Sequence, residues 1–401
     1  MNKIRLLYVS SSLNNGHELN FLGRLSADER LDVTVASSNQ LDCLPEIRKL
    51  PVRLFFAKGL PARFKFRPLT ALCNKLNNAF FQQMIRRILS RQSIDIIHSG
   101  WLTQDSYLAL RTGFHPVLAM AWGSDVLPDP FVVNAHQSRR VLKKLRFTAG
   151  HADTIYCDCR AVAETLCTLT GVAPEKLRIF LQLGVETAVF RPDAALAAEA
   201  RREWAVAPKT NVLIMTRRLD PAYGVADYLH ALALLRNRVA CPFLAVLAGE
   251  GSLEGQLKEL TRDLGLQDSV VFVGAKPRQD LPRYLNGADL YVSTSLSDGT
   301  SISLLEAMSC GLPVVVTDVP ANLEWVRDGY NGAVAARGDP QSIAQALQSV
   351  LEDPAKRALF RERNRALALE RIEASRNYET LVDLYRALVA AHAASGASGR
   401  C

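Results

Sequence analysis

The segment from Ser293 to Asp318 contains the residue types best suited to binding an anionic ligand that also carries hydroxyl groups. Its letters indicate an apolar strand, a turn rich in Gly, Ser and Thr, a short helix, Gly311 and a second apolar strand. The first N–H groups of such a helix lack intrahelical acceptors and, together with the helix dipole, favour a bound phosphate. Two carboxylates accompany this site, Asp298 on the turn and Glu306 within the helix, and both could accept hydrogen bonds from sugar hydroxyls.

A simpler interpretation of the same letters is ordinary helix capping. Thr300 or Ser301 would be the N-cap, and Gly311 would end the helix. This interpretation accounts for the Ser, Thr and Gly residues, but not for Glu306 and the Ala-Met-Ser-Cys-Gly-Leu-Pro that follows it. From the residues alone, the anion site and the plain cap both stay open.

The same segment resembles the donor-site motif of retaining glycosyltransferases with the GT-B fold, family four, also called group 1. That motif has two carboxylates separated by seven residues, and Asp298 and Glu306 occupy their places. The resemblance implies that Glu306 holds the ribose of a nucleotide sugar and that Asp298, where the family more often has Glu, faces the transferred sugar. It also implies that backbone amides meet the diphosphate, at Gly299, Thr300, Ser301 and Ile302.

A second motif precedes the first by about eighty residues. The run Thr216–Val225 resembles the family's Gly-Arg-Leu-x-Pro-x-Lys-Gly, and Arg218 matches its Arg, which implies a bidentate contact with the diphosphate. Tyr223 stands where the family has Lys, so we expect Arg217 or Lys276 to supply the missing cation. Gly249 and Gly274 match two further turns at the donor site. By this resemblance the catalytic residues are Asp298, Glu306 and Arg218.

The first half of the chain follows the family less closely. Gly16 lies in the first loop, where the family's main chain approaches the donor phosphate. Trp122 precedes Gly-Ser-Asp125, whereas the family often has His before Gly-x-Asp. We expect Trp122, Asp125 and His98, at the end of an apolar strand, on the acceptor or sugar side. The alternatives are an Asx turn or cap for Asp125 and a hydrogen-bonded strand-end histidine for His98.

The elements that must position these residues alternate between short apolar strands and helices along 401 residues. Strands are predicted in the first half at Ile4–Val9, Leu31–Ala36, Ile94–His98, Pro116–Trp122, Thr154–Cys157 and Leu177–Leu181, and in the second half at Val212–Thr216, Phe243–Ala248, Val270–Val273, Leu290–Ser293, Pro313–Thr317 and Ala333–Ala335. Continuous apolar runs are typical of strands buried on both faces, and the alternation predicts parallel α/β sheets. We therefore expect two doubly wound, Rossmann-like domains facing across a cleft. The acceptor domain is predicted over 1–190, the nucleotide-sugar domain over 191–372, and a C-terminal helix that crosses back to the first domain, with a disordered tail, over 373–401.

The formal charge of +8 is concentrated in the first half, where residues 1–190 carry +9 and residues 191–401 carry −1. The stretch Arg48–Arg91 has eleven basic residues, several aromatic ones and no acidic residue, and Asn74–Leu89 is predicted to be an amphipathic helix. This composition favours an anionic membrane surface. An ordinary solvated helix is the main alternative, and nucleic acid is the least favoured partner.

Other features limit the class of protein. No apolar run reaches the ~18 residues of a spanning helix, and the first residues do not resemble a signal peptide. The eight cysteines lack metal-ligand spacing and are expected to be reduced thiols. We expect a cytoplasmic protein, peripheral on the inner face of the plasma membrane, with neither a metal nor a cofactor.

The resemblance implies a retaining, metal-independent hexosyltransferase. It would move a sugar from a UDP-sugar, or less favourably a GDP-sugar, to a hydroxyl of a glycan or lipid-linked acceptor in cell-envelope polysaccharide synthesis, lipopolysaccharide included. Two alternatives stay open. One is another GT-B enzyme such as an epimerase. The other is an inactive subunit that binds a sugar nucleotide, an alternative suggested by Tyr223 and Trp122. The oligomeric state is not predicted.

Overall fold

A computed structural model describes residues 3–14, 16–38, 43–60, 67–127, 139–181 and 184–396. The chain forms two compact units. The first unit holds residues 1–126, 134–183 and 378–401, and the second holds 127–133 and 184–377. The change of unit thus falls at 183/184 rather than after residue 190. The segment 373–401 was expected as a separate helix and tail; its described residues from Tyr378 to 396 belong to the first unit.

The first unit is built on seven parallel strands in the order β3-β2-β1-β4-β5-β6-β7. They are β1 (Ile4–Ser10), β2 (Leu31–Ser37), β3 (Arg53–Phe56), β4 (Ile96–Ser99), β5 (Val117–Ala121), β6 (Thr154–Cys157) and β7 (Leu177–Ile179). Six lie where apolar runs predict strands. The seventh, β3, lies at the sheet edge within the basic stretch, where its side chains are only partly buried.

Helices cover this sheet, as the alternating pattern predicts. They are α1 (Gly16–Ala27), α2 (Arg67–Arg91), α3 (Tyr107–Leu110), α4 (Arg139–His151) and α5 (Arg160–Thr170). A π-helical turn, Leu102–Ser106, leads into α3. None of the helices among the described residues is long and apolar enough to span a bilayer.

The second unit is built on six parallel strands in the order β10-β9-β8-β11-β12-β13. They are β8 (Asn211–Met215), β9 (Phe243–Leu247), β10 (Val270–Phe272), β11 (Leu290–Ser293), β12 (Val314–Thr317) and β13 (Ala333–Ala335). All six coincide with predicted runs. Both sheets reverse their strand order part-way, between β1 and β4 and between β8 and β11, which is the mark of a doubly wound sheet. The expected fold class, two parallel α/β domains, is confirmed.

The remaining helices complete the second unit. They are α6 (Ala194–Glu203), α7 (Val225–Arg236), α8 (Glu254–Asp263), α9 (Leu281–Gly287), α10 (Ile302–Ser309), α11 (Pro320–Leu323), α12 (Pro340–Leu351) and α13 (Pro354–Leu367). The last helix, α14 (Ala374–Ala394), covers the predicted C-terminal helix. From Tyr378 onward it packs in the core of the first unit, where Leu381 and Tyr385 are fully buried.

Candidate functional site

The start of α10 has the capping geometry that the sequence allows. Ser301 has an extended backbone, and its Oγ accepts a hydrogen bond of 3.3 Å from the N–H of Leu304. Gly311, just after the helix, has φ +72, a conformation that glycine adopts without strain. The cap therefore exists, and the question is whether other groups turn this helix end into a binding site.

Arg217 brings a cation with little solvent exposure to this helix end. Its Nη1 donates to Ser301 Oγ at 2.6 Å and to Ser303 Oγ at 3.0 Å, while its Nη2 pairs with the Asp298 carboxylate. The guanidinium also lies over the Tyr223 ring, 4.3 Å from its centroid. Its side chain is only 10% exposed, so these contacts fix the charge at the N-terminus of α10.

Two glycines allow the backbone to present Arg217 in this way. A Cβ on Gly249 would lie 1.9 Å from the carbonyl oxygen of Arg217, a distance that no side chain tolerates. A Cβ on Gly224 would lie 2.2 Å from the carbonyl oxygen of Thr294, and Gly224 has φ +60. The loops after β8, β9 and β11 can therefore pack this closely only because these positions lack side chains.

Of the two carboxylates of the motif, Glu306 is buried and Asp298 is partly buried, with its side chain 17% exposed. Burial raises the pKa of Asp298, and the Arg217 charge opposes this rise. Burial raises the pKa of Glu306 to about 7, opposed by Arg278, whose Nε donates to Glu306 Oε1 at 3.1 Å. With Arg278 beside it, Glu306 therefore still titrates near neutral pH.

Arg218 and Lys276 do not reach this cluster. The Arg218 side chain is 64% exposed, and its Nε donates to Asp220 at 2.7 Å. Lys276 places its Nζ 5.2 Å from the centroid of the Tyr284 ring. The described contacts include no hydrogen bond or ion pair from either residue to α10. Of the three cations expected at the diphosphate, the structure brings Arg217 to the helix start.

The other residues expected at the donor lie on separate segments. Gly299 and Thr300 form the loop between Asp298 and the cap, and Ile302 is the first residue of α10. Gly274 follows β10 with φ +72. Gly16, in the first unit, is the first residue of α1.

In the first unit, the structure places His98 in the core and not on an acceptor surface. Its ring is fully buried, its Nδ1 is 2.5 Å from the Tyr385 hydroxyl, and its edge contacts the Tyr8 and Phe21 rings. Burial lowers the pKa of His98 to about 3, so it is neutral at physiological pH. The expectation for this residue is corrected, and the alternative, a hydrogen-bonded strand-end histidine, describes it.

Asp125 acts as a backbone anchor for Trp122. Its Oδ1 accepts from the N–H of Trp122 at 3.0 Å, and its Oδ2 accepts from the N–H of Leu102 at 2.8 Å. Neither bond goes to a following N–H group, as in an Asx turn or N-cap, so that alternative does not describe Asp125. The bonds instead hold Trp122 at the end of β5. The Trp122 indole N–H is buried and has no hydrogen-bond partner among the described residues.

Three charged residues near these sites were missed by sequence reasoning. Glu18 is buried at the start of α1, where the hydroxyls of Tyr8 and Ser10 both donate to it at 2.9 Å. Asp105 is buried in the π-helical turn and accepts from the N–H of Ser11 at 3.0 Å. Arg278 pairs with Glu306. Only Glu18 had a local signal, its place just after Gly16.

Two further expectations concern metals and cysteines. Over the part of the chain that the structure describes, no group of three or more His, Cys, Asp or Glu could hold a metal ion. The seven cysteines in that part are free thiols, and Cys401 lies outside it.

Comparison with known families adds to this geometry. The family model described as "Glycosyl transferases group 1" matches residues 197–367, and "Glycosyl transferase 4-like" matches residues 5–158. The two matches therefore include the core of each sheet and the whole cluster around α10.

Two relatives with assigned activities are similar to the chain. It is 31% identical over 228 residues to a D-inositol 3-phosphate glycosyltransferase of Acidothermus cellulolyticus, with 55% of this chain and 50% of the relative covered. The chain thus spans about half the length of that relative. It is 29% identical over 296 residues to a GDP-mannose-dependent alpha-(1-6)-phosphatidylinositol monomannoside mannosyltransferase of Mycolicibacterium smegmatis, with 71% and 75% covered.

Among solved structures, Anabaena HepE, crystallised with UDP, is similar in fold. The TM-score is 0.75 at 21% identity, with 96% of this chain and 100% of HepE covered. HepE has also been solved with UDP-glucose. At this identity the likeness concerns the fold alone.

Proposed function

Because the chain belongs to the group 1 glycosyltransferases and has the GT-B fold, we propose that it transfers a sugar from a nucleotide diphosphate sugar to an acceptor hydroxyl. The proposed transfer is metal-independent and retains the anomeric configuration. The observation that carries this proposal is Arg217, bound to the N-cap of α10, with Asp298 and Glu306 at the same helix.

The main chemical task is to stabilise the charge that builds up on the departing diphosphate. The first-turn N–H groups of α10 are proposed to donate to the phosphate oxygens, and the Arg217 guanidinium supplies the positive charge. Because the Arg217 side chain is only 10% exposed and is held by Ser301 and Ser303, little reorganisation is needed when the leaving group becomes charged. Glu306 would accept hydrogen bonds from the ribose.

For the sugar, Asp298 is proposed to accept hydrogen bonds from the ring hydroxyls. The acceptor oxygen would bond to the anomeric carbon on the face that the diphosphate leaves, as the bond from that carbon to the phosphate oxygen breaks. The acceptor's proton would pass to the departing phosphate oxygen. This sequence of events retains the configuration and requires no protein nucleophile.

For the nucleotide, we propose uridine before guanosine. The HepE complexes with UDP and UDP-glucose support uridine, and the mycobacterial relative, whose description names GDP-mannose, supports guanosine. A panel of UDP- and GDP-sugars should include one that raises the melting temperature of the protein and is consumed when an acceptor is added. If none of them is bound, the proposal is wrong. If one is bound without transfer or hydrolysis, the chain is the inactive binding subunit.

The acceptor is proposed to be a glycan or a lipid-linked molecule of cell-envelope polysaccharide synthesis, reached from the inner face of the plasma membrane. The support comes from α2, where Leu69, Leu72, Leu76 and Phe80 are 38–53% exposed. Their spacing of three, four and four residues puts them on one stripe of the helix. Residues 61–66, with Phe64 and Phe66, belong to the same basic stretch but lie outside the described residues.

A second face of α2 faces the core, so this exposed stripe is additional to normal packing. Phe81, Ile85 and Ile88 are at most 3% exposed. The surrounding stretch Arg48–Arg91 has eleven basic residues and no acidic one, which complements an anionic bilayer. Flotation with vesicles containing phosphatidylglycerol tests this part of the proposal, and absence of binding at low salt would refute it.

A further inference from the structure

The ion pair between Arg278 and Glu306 concerns a residue that no motif singles out. Arg278 lies in a single 3-10 turn, Arg278–Asp280, between β10 and α9. Its Nε donates to Glu306 Oε1 at 3.1 Å, although 28 positions separate the two residues. The Glu306 side chain is 5% exposed and that of Arg278 is 30% exposed, so the pair is buried on one side and open on the other.

Packing fixes the guanidinium relative to α10. The Arg278 Cζ lies 5.3 Å from the centroid of the Phe190 ring. The carbonyl oxygen of Phe190 accepts hydrogen bonds from Ser309 Oγ at 2.5 Å and from Arg365 Nη1 at 3.0 Å. Ser309 is the last residue of α10, so the ring under Arg278 is tied to the helix that carries Glu306.

The charged groups around Glu306 make Arg278 decisive for its ionisation. Burial favours the neutral acid, and the nearby Glu186 carboxylate adds to this effect. On α10's own C-terminal side, the Cys310 thiol faces Glu306. Arg365, from α13, contacts Ser309 and interacts with Cys310. Arg278 is the partner whose charge opposes these effects and favours the carboxylate.

The pair also has unused hydrogen-bonding capacity. A guanidinium has five N–H donors, and the described hydrogen bonds of Arg278 use only Nε. A hydroxyl beside the pair can donate to the carboxylate and accept from an Nη–H group. Two adjacent hydroxyls, such as those of a ribose, match one carboxylate and one guanidinium in this way.

We infer that Arg278 is a positioning residue for the nucleotide: it favours the ionised form of Glu306, orients that carboxylate toward the ribose diol and donates to the diol through its Nη groups. This inference rests on the proposed function, because it assumes that Glu306 meets a ribose. It adds a residue outside the family motif and a chemical preference, for a ribonucleotide over a nucleotide that lacks the diol.

The test is calorimetric binding of UDP, GDP and their 2′,3′-dideoxy analogues between pH 6 and 8.5, to wild type and to Arg278→Ala, Arg278→Gln and Arg278→Lys. At pH 7 we expect Arg278→Ala to weaken ribonucleotide binding about tenfold to hundredfold, as for a lost charged hydrogen bond. In wild type, affinity should fall with acid through about pH 7, where Glu306 protonates. In the Ala and Gln variants this fall should move to higher pH, and Lys should restore part of the affinity and of the pH profile.

The matched control is Arg283→Ala. Arg283 lies on α9 in the same unit, pairs with Glu199 and Glu203, and stacks on Tyr284. The Arg283→Ala variant should keep the nucleotide affinity of wild type and the pH profile of that affinity.

Two further outcomes separate the inference from the proposed function. If wild type binds a ribonucleotide and folded Arg278 variants keep its affinity, pH profile and preference over the dideoxy analogue, the inference is overturned. If wild type binds no nucleotide, the proposed function itself fails. Should Arg278→Ala not fold, the Gln and Lys variants decide between these outcomes.

Discussion

The cluster around α10 in the second unit and the exposed face of α2 in the first unit are the two regions for which we propose an anionic partner, and they are built differently. In the α10 cluster, Arg217, Asp298 and Glu306 have side chains at most 17% exposed, and each has a charged partner. On α2, exposed leucines lie in a stretch with eleven cations and no carboxylate. The cluster belongs to the half with a net charge of −1, and α2 to the half with +9.

The net charge of a region therefore does not locate the proposed phosphate site. The site proposed in the near-neutral half consists of a few oriented groups with little exposure, and low dielectric strengthens each of their contacts. The surplus positive charge of the other half is spread over exposed residues. Such charge favours an extended anionic surface over a single small ligand. Four predictions test whether the two regions differ in this way.

The largest expected effect is the loss of transfer rate when Arg217 is replaced. Replacing Arg217 with Ala should lower the rate of sugar transfer about 100-fold to 1000-fold, because a preorganised donor to the leaving group is lost. The Arg218→Ala variant should lose less of the transfer rate, since the Arg218 guanidinium pairs with Asp220 at the surface. Initial rates of both variants measure the difference. If Arg218→Ala were the more damaging change, Arg217 would not be the cation of the site.

The second prediction concerns how much the buried Glu306 carboxylate lowers the stability of the folded protein. Its pKa is about 7 in the folded protein, above the ordinary 4.5, so the folded state loses stability as the pH rises from about 4.5 to about 7. Glu306→Gln should therefore stabilise the ligand-free protein by about 3 kcal/mol at pH 8, and hardly at all below about pH 4.5. Denaturant unfolding at several pH values tests this. A gain in unfolding free energy that is the same at every pH would contradict this prediction.

The third prediction concerns the exposed stripe of α2. Leu72→Glu with Leu76→Glu should weaken binding to anionic vesicles about tenfold or more, because apolar insertion is lost and negative charge is added. Transfer to a water-soluble acceptor should stay the same. Leu323→Glu with Leu369→Glu is the matched control, since both leucines are 49% exposed in the second unit. Equal vesicle binding by both double variants would exclude α2 as the contact.

The smallest expected effect is the response to salt. Exposed charges are screened over about 10 Å at 0.1 M salt, and buried pairs are screened much less. Raising the salt from 50 to 300 mM should release the protein from vesicles, while nucleotide affinity changes only slightly. Sedimentation and calorimetry across the same salt series measure the two responses. A parallel decline of both would show that the two regions do not differ as described.

Much of the fold was predictable because burial on both faces leaves continuous apolar runs, as in β1 and β11. The placement of Glu306 on α10 and of Asp298 before it also followed from spacing. In contrast, β3 was missed because it is a short edge strand that includes Arg53 and is only partly buried.

Other details required three-dimensional information. Arg217 and Arg218 are adjacent at the end of β8, and only the loop backbone, packed against Gly249, determines which one turns toward α10. His98 ends a strand as a site residue would, but Tyr385, 287 positions away, holds it in the core. The pairing of Arg278 with Glu306 is also long-range and leaves no local pattern. The catalytic roles predicted for Asp298, Glu306 and Arg218 stay predictions, and the role of Arg217 is a proposal.

The most direct test of the account is the rate of sugar transfer by a folded Glu306→Ala variant, measured with the nucleotide sugar that wild type uses. We expect at least about a 100-fold loss, since a buried carboxylate that binds the donor is removed, with circular dichroism unchanged. Wild-type turnover by that variant would contradict the placement of the donor at α10.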